Sequence, residues 1–244
     1  MLTVAITSFN TSKYLEKALN PFLEDNFVDE IIISDDKSNI INSFYLDYIV
    51  RKINNKKIKV FKNNLNLGGF SNKFIAIKKS SNKFVYLLDS DNYITNKQLE
   101  MIKEFKFAEN SIIAPFKLCL FSKKTLLKPV EYNFQNENIN RKNIKNIASE
   151  NSELFDWFIN TGNFIVNREL FLEATYRPIF QNNLKFHDAC SASIFYYLVK
   201  FDMNYKIEKN FSYFHRVRND SYWNKDVNKS IESVKFFKNK VLNL

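Results

Sequence analysis

Glycine is almost missing from this sequence, with three residues in 244. Each of the three is therefore expected where the backbone needs it. Cysteine is rarer still, and Cys119 and Cys190 form neither a metal-ligand spacing nor a disulfide framework. That scarcity points to an intracellular protein with reduced thiols. No apolar run approaches the roughly 20 residues that span a bilayer. The start, MLTVAITSFN, lacks a signal peptide's basic leader and long apolar stretch. A cytoplasmic location is expected, with contact at the inner face of the membrane as the alternative. Zinc-finger spacing, an RNA-binding aromatic signature and basic-region heptads are also absent, so the net charge of +10 is not read as a specific nucleic-acid partner. An anionic membrane surface or a phosphorylated substrate remains as a partner for that charge. Half of the excess, ten Lys and Arg against five Asp and Glu, lies from residue 200 onward.

What is present is a regular alternation through the first half. Residues 2–8, 28–34, 57–62 and 83–88 read as strands, and 12–24, 42–54 and 70–80 as helices with one apolar face. Strands separated by helices of this length imply βαβ units in a parallel sheet, and near-continuous apolar strands imply a sheet covered on both faces. The class is α/β, Rossmann-like, with the ligand site at the carboxyl ends of the strands. The second half is less regular. Residues 111–121 read as a strand, and the polar, Asn-rich stretch 133–152 as a mobile loop or surface helix. Helices are expected from about 168, at 187–200 and, basic and amphipathic, near 226–240.

The residues just past each strand carry the functional signal. The first strand is followed by Thr7, Ser8, Phe9 and Asn10, the second by Asp35, Asp36, Lys37 and Ser38. The third leads to Asn66, Gly68 and Gly69, and the fourth, FVYLL, ends in Asp89, Ser90, Asp91 and Asn92. Polar loops in general account for any one such set, or for two. They do not account for carboxylates at two strand ends with glycines at a third. Asp89 and Asp91 are close enough to raise each other's pKa unless a cation lies between them. The competing structural reading, a cap for the next helix, suits Asn92 or Thr95 better than both aspartates.

In this order the motifs resemble the inverting nucleotide-sugar glycosyltransferases of family two, which have the GT-A fold. The resemblance covers about residues 2–93 well and 155–223 more loosely. Thr7-Ser8-Phe9-Asn10 stands where the family has Pro-x-Tyr-Asn, and Asp35-Asp36-Lys37-Ser38 where it has Asp-Asp-Gly-Ser. Asn66-Leu67-Gly68 matches Asn-x-Gly, and Leu88-Asp89-Ser90-Asp91-Asn92 matches Leu-Asp-x-Asp-Asp. The resemblance implies one GT-A domain over 1–244, with a nucleotide-binding half (1–95) and an acceptor-side half (96–244). It implies a mostly parallel central sheet flanked by helices and an irregular second half. It implies Mn²⁺ or Mg²⁺ held by Asp91 with Asp89, and a nucleotide-diphosphate sugar donor, a UDP-sugar by frequency in the family.

Further roles follow from the same resemblance. Asp36, beside Asp35, contacts the base or ribose, with Thr7, Phe9 and Asn10 along the wall and Asn66 and Gly68 in the donor site. His187-Asp188 stands where the family has Glu-Asp, so Asp188 is the expected base, with His187 beside it. Trp157, Gly162 and Asn163 fall on the acceptor side. In the stretch SYFHRVRNDSYW, His215 is a candidate metal ligand and Arg216 and Arg218 candidate diphosphate clamps, since guanidinium forks suit phosphate oxygens. The acceptor is expected to be a hydroxyl of a glycan or lipid-linked saccharide. The basic C-terminal helix is expected either to rest on an anionic membrane or, the favoured reading, to pack on the core. Two rival functions stay open: a nucleotidyltransferase, and a non-catalytic nucleotide-sugar-binding subunit of a glycan assembly complex.

Overall fold

A computed structural model describes residues 1–123, 125–180 and 190–244. The first half alternates as the sequence indicates: β1 (Leu2–Ser8), α1 (Ser12–Leu19), β2 (Val28–Asp35), α2 (Ile40–Ile53), β3 (Ile58–Lys62), α3 (Gly68–Lys79) and β4 (Phe84–Asp89). A short 3₁₀ turn, Asn20–Phe22, continues α1, where Pro21 prevents a regular α-helical bond. Then come α4 (Asn96–Lys103), β5 (Ser111–Ser122), β6 (Thr125–Leu126), β7 (Val130–Glu131), β8 (Asn138–Ile139), α5 (Ile144–Glu150) and α6 (Ser152–Ile159). The chain closes with β9 (Phe164–Asn167), α7 (Arg168–Phe180), α8 (Cys190–Lys200), β10 (Asn204–Arg216), α9 (Tyr222–Lys225) and α10 (Val227–Leu242).

One sheet runs through the molecule in the order β3-β2-β1-β4-β9-β5-β10-β8, with β6 and β7 on β5. Strands β1 to β4 are mutually parallel where they pair, as are β5 and β10. The insertion of β9 between them is antiparallel to β4 and β5, which the alternation alone does not predict. The β1, β2 and β4 side chains Val4, Ala5, Ile6, Ile31, Ile32, Ile33, Val85 and Leu87 are all fully buried. That agrees with helices over both faces and explains the unbroken apolar runs. Because β2 and β3 lie on one side of β1 and β4 on the other, the strand order reverses between β1 and β4. A crevice at the carboxyl ends of the strands is expected at this reversal.

The second half is more ordered than its sequence suggests. In the Asn-rich stretch, Ile139, Ile144 and Ile147 are buried and anchor β8 and α5. Pro115, in the middle of β5, sits where the ladder to β10 breaks register between Glu208 and Ser212, a bulge that tolerates its missing N–H. The basic helix α10 buries Val234, Phe237 and Val241 against α8 and α6, so it packs on the core.

Candidate active site

A cleft of about 960 Å³ opens over the carboxyl ends of β1, β2 and β4 and is closed on its far side by β10, α8 and the segment after β10. Its floor is set by strand register. Thr7 pairs with Asp89 across β1 and β4, and the Thr7 hydroxyl donates to Asp89 Oδ1 at 3.0 Å. Ser90 N–H donates to Thr7 O, and Ser90 Oγ lies 2.5 Å from Thr11 Oγ1, which fixes the turn after β4. Asp91 is thereby turned into the cleft. The next helix does not need either aspartate, because Thr95 caps α4 in a reciprocal box with Gln98. Of the two sequence candidates for that cap, Thr95 is the one used.

Each aspartate faces a cation. Lys73, on α3 and 3% exposed, makes an ion pair with Asp89 and lies 3.4 Å from the Gly162 carbonyl. Burial alone disfavours its ammonium, but Asp89 more than compensates and holds the Lys73 pKa above its ordinary value. Arg218 Nε donates to Asp91 Oδ2 at 2.8 Å, and its guanidinium also meets Asp220 at 3.1 Å. Burial, aided by repulsion from Asp89, nevertheless raises the Asp91 pKa against the pull of Arg218 and His215. His215, on β10, is electrostatically coupled to Asp91, and its Nδ1 is buried with no hydrogen-bond partner. Burial lowers the His215 pKa, favouring the neutral, ligating form of the imidazole.

Arg216 is held differently. Its guanidinium lies 4.0 Å from the Tyr14 ring centroid and 4.4 Å from that of Phe121, and its Nε donates to the Asp91 carbonyl at 3.3 Å. It lines the cleft from between two aromatic rings. Its backbone N–H donates to Asn92 Oδ1, which ties β10 to the end of β4.

The β2 end separates the two adjacent aspartates. Asp35 turns back, accepting from Ser38 Oγ at 2.5 Å and Ser38 N at 3.1 Å, and burial raises its pKa. It is not among the described residues lining the cleft, whereas Asp36 is. Asp36 accepts from Asn63 Nδ2, Leu67 N and Gly68 N, so it clamps the loop that carries Asn66 into the start of α3. Gly68 has φ +83°, a left-handed conformation that explains its glycine. Asn10, also left-handed at φ 56°, receives Asn39 N–H on its Oδ1 and donates its own N–H to Ser38 Oγ. Phe9 lines the same wall.

On the opposite side, Trp157 is 43% exposed at the rim. Asn163 Oδ1 accepts from Asp89 N–H at 2.9 Å, so it positions the end of β4. Gly162 is packed so closely that a Cβ there would lie 2.7 Å from Ser191 Oγ, 3.1 Å from Lys73 Nζ and 3.3 Å from Asp89 Oδ2. His187 and Asp188 lie outside the described residues; Cys190 and Ser191, which follow them in the chain, line the cleft.

The chain matches the family model of glycosyl transferase family 2 over residues 3–173. The protein belongs to glycosyl transferase family 2. Its fold is similar to that of a crystal structure of S. aureus TarS 1-349, with a TM-score of 0.68 at 17% identity, covering 99% of this chain and 65% of that one. The chain therefore spans about two thirds of that TarS fragment. TarS 1-349 in complex with UDP-GlcNAc gives a TM-score of 0.69, covering 99% of this chain and 66% of that one at 17% identity. GalNAc-T7 with UDP, GalNAc and Mn²⁺ gives 0.61 at 15% identity, covering 90% of this chain and 44% of that one. No curated protein matches the chain.

Within this family-two fold, the structure brings Thr7, Phe9, Asn10, Asp36, Asn66, Gly68, Asp89, Asp91, Trp157, Gly162, Asn163, His215, Arg216 and Arg218 to one cleft. Sequence reading missed Lys73, Ser191 and Tyr213. For Lys73 a signal existed: in FSNKFIAI it lies on the stripe of Phe70, Phe74 and Ile77, a lysine on a core-facing helix stripe.

Among the described residues no three His, Cys, Asp or Glu side chains converge. Asp91, with Oδ1 accepting no hydrogen bond from described residues, and His215, with its orphaned Nδ1, nevertheless fit a cation that completes its shell on a ligand's phosphate oxygens.

Proposed function

We propose that this family-two protein transfers a sugar, with inversion, from a nucleotide-diphosphate sugar to a hydroxyl of a glycan or lipid-linked saccharide. The observation that carries the reading is the end of β4: two carboxylates at the strand-order reversal, each facing a basic side chain in a cleft. A diphosphate leaving group gathers negative charge as the glycosidic bond breaks, and Arg218 and Lys73 supply fixed positive charge there. Asp91 and His215, with Asp89 nearby, would hold Mn²⁺ or Mg²⁺, which would supply further neutralisation of that charge.

Direct displacement needs one base and no protein nucleophile. We assign the base to Asp188, two residues before Cys190 in the cleft wall, with His187 beside it. It takes the acceptor hydroxyl proton as that oxygen attacks the anomeric carbon from the face opposite the departing diphosphate. Trp157 offers a flat apolar surface for the acceptor sugar, and Gly162, having no side chain, lets Ser191 and the Lys73–Asp89 pair pack against it. Asp36, Asn10 and Phe9 form the nucleotide wall, with uridine favoured because TarS and GalNAc-T7 have each been crystallised with UDP. Residues 1–95 act as the nucleotide half and 96–244 as the acceptor half of one domain.

Calorimetric titration with UDP, GDP and dTDP, each with and without Mn²⁺, on wild type and Asp91→Ala tests the reading. Metal-dependent binding of one nucleotide, lost in the variant, supports it. Binding that ignores both metal and Asp91 overturns the metal assignment, and binding without turnover of any conjugate favours a non-catalytic subunit.

A further inference from the structure

Helix α2 has two apolar faces, and its core needs only one. Leu46 and Ile49 are buried, with Val50 and Ile53 packed against them. Ile40, Ile41, Phe44, Tyr45 and Tyr48 form a second stripe at helical spacing, and all five are exposed, Ile41 at 75% and Phe44 at 64%. The loop before α3 adds two more exposed side chains, Leu65 and Leu67. An exposed apolar set of this size on one element marks a surface that is covered by something.

Charge identifies what covers it. Residues 37–67 hold seven basic side chains (Lys37, Arg51, Lys52, Lys56, Lys57, Lys59, Lys62) and one acid, Asp47, a net of +6. Lys62 pairs with Asp47, Lys52 with Glu16 and Lys59 with Glu30. Lys37, Arg51 and Lys56 have no ion-pair partner among the described residues, whereas the Lys57 ammonium is turned onto the Asp25 and Phe22 carbonyls. Apolar and aromatic side chains flanked by lysines are the composition of a surface that lies in a bilayer interface, with tyrosine rings at headgroup depth and cations against anionic lipid.

We propose that this face, α2 with the loop before α3, docks on an anionic lipid surface. A second copy of the chain is a poorer occupant, because a two-fold contact would set the same cationic patch against itself. A nucleic acid would use the rings but gain nothing from Ile40, Ile41, Leu65 and Leu67. The α10 helix, basic like α2, does not compete: its apolar side has gone to the core, leaving Val227 and Ile231 exposed. The docking face adjoins the cleft mouth, since Asn39, the N-cap of α2, bonds Asn10, and Leu67 N–H bonds Asp36. Lipid docking does not depend on the proposed reaction; only its use, holding the cleft against a membrane that carries a lipid-linked acceptor, does.

The test is flotation of the full chain with vesicles of phosphatidylcholine alone and of phosphatidylcholine mixed with phosphatidylglycerol. Wild type is expected to float with the anionic vesicles and not with the neutral ones. Ile41→Ser/Phe44→Ser should lower the partition coefficient at least about tenfold, and Lys56→Gln about fivefold. Ile231→Ser on α10 should float as wild type does. An unchanged thermal melt shows that the α2 variant is folded, and the nucleotide titration above fails or succeeds independently. Wild type that does not float with anionic vesicles, or an α2 double variant that floats undiminished, overturns the proposal. So does a concentration-dependent dimer in light scattering that the double variant dissolves, which would make a second copy the occupant. RNA-oligonucleotide binding through the same residues, without vesicle binding, overturns it as well.

Discussion

Lys37 has φ 56°, a left-handed conformation that costs an L-residue about 1–2 kcal/mol and glycine nothing. Family members carry glycine at this position of the Asp-Asp-Gly-Ser motif, and the geometry explains why. Lys37→Gly is expected to stabilise the fold by about 0.5–1 kcal/mol after the greater freedom of glycine in the unfolded chain is deducted, read by urea denaturation. Gly162 is the opposite case, a glycine required by crowding. Gly162→Ala pushes a methyl group into Ser191 Oγ and toward Lys73 Nζ. It should destabilise by about 1–3 kcal/mol and weaken nucleotide-sugar binding by displacing the Lys73–Asp89 pair. Adding Ser191→Ala, which removes the nearest atom, should recover part of the melting temperature; no recovery would place the strain elsewhere. Candidates at strand ends, such as Asp89 and Gly68, were legible because the alternation fixes where each strand stops. Lys73 was not, because a helix position becomes part of a site only through the strand it packs against.

Elements differ in how much of their environment the sequence carries. The strands β1, β2 and β4 are legible as apolar runs, and their parallel pairing follows from the helices between them. The antiparallel β9 is not, since four residues, FIVN, say nothing about direction. The stretch 133–152 reads as a mobile loop or surface helix because its polar residues outnumber the few isoleucines that hold β8 and α5 to the core. Between elements, Glu30 does more than its position in β2 suggests. It is buried, and accepts from Thr3 of β1, Lys59 of β3 and the Ser81 N–H before β4, each at 2.7 Å. Burial pushes its pKa up, but these donors together push it further down, below the ordinary value of 4.5. A carboxylate with a depressed folded pKa contributes stability above the unfolded pKa, and that stability is lost as pH falls through the folded value. Wild type should therefore lose stability between about pH 5 and pH 3 more steeply than Glu30→Gln. At neutral pH the variant should be weaker by about 1–3 kcal/mol, having lost charged acceptors for three donors. Urea unfolding over that pH range measures both, and parallel curves would remove Glu30 from the account.

At the scale of the whole molecule, the cleft is a seam. One wall comes from the ends of β1, β2 and β4, and the other from β10, α8 and the segment carrying Arg218. The seam is held by Arg218–Asp91, Arg216 N–H to Asn92 and the Tyr93–Phe214 backbone pair. A nucleotide diphosphate bound as proposed would touch both walls, and a ligand that binds only the folded state stabilises it by RT ln(1 + [L]/Kd), about 2.7 kcal/mol at one hundred times Kd. For a chain of this length each kcal/mol raises Tm by about 2–4 °C. UDP with Mn²⁺ at that excess should therefore raise Tm by about 5–11 °C, and UDP or Mn²⁺ alone by less. Asp91→Asn removes a charge from the proposed cation site while preserving shape; because it also weakens the Arg218–Asp91 pair its unliganded Tm should fall, and the ligand-induced rise measured from that lower baseline should be lost. If the rise survives in Asp91→Asn, the cation does not depend on that carboxylate, and the diphosphate is held by Lys73 and Arg218 alone.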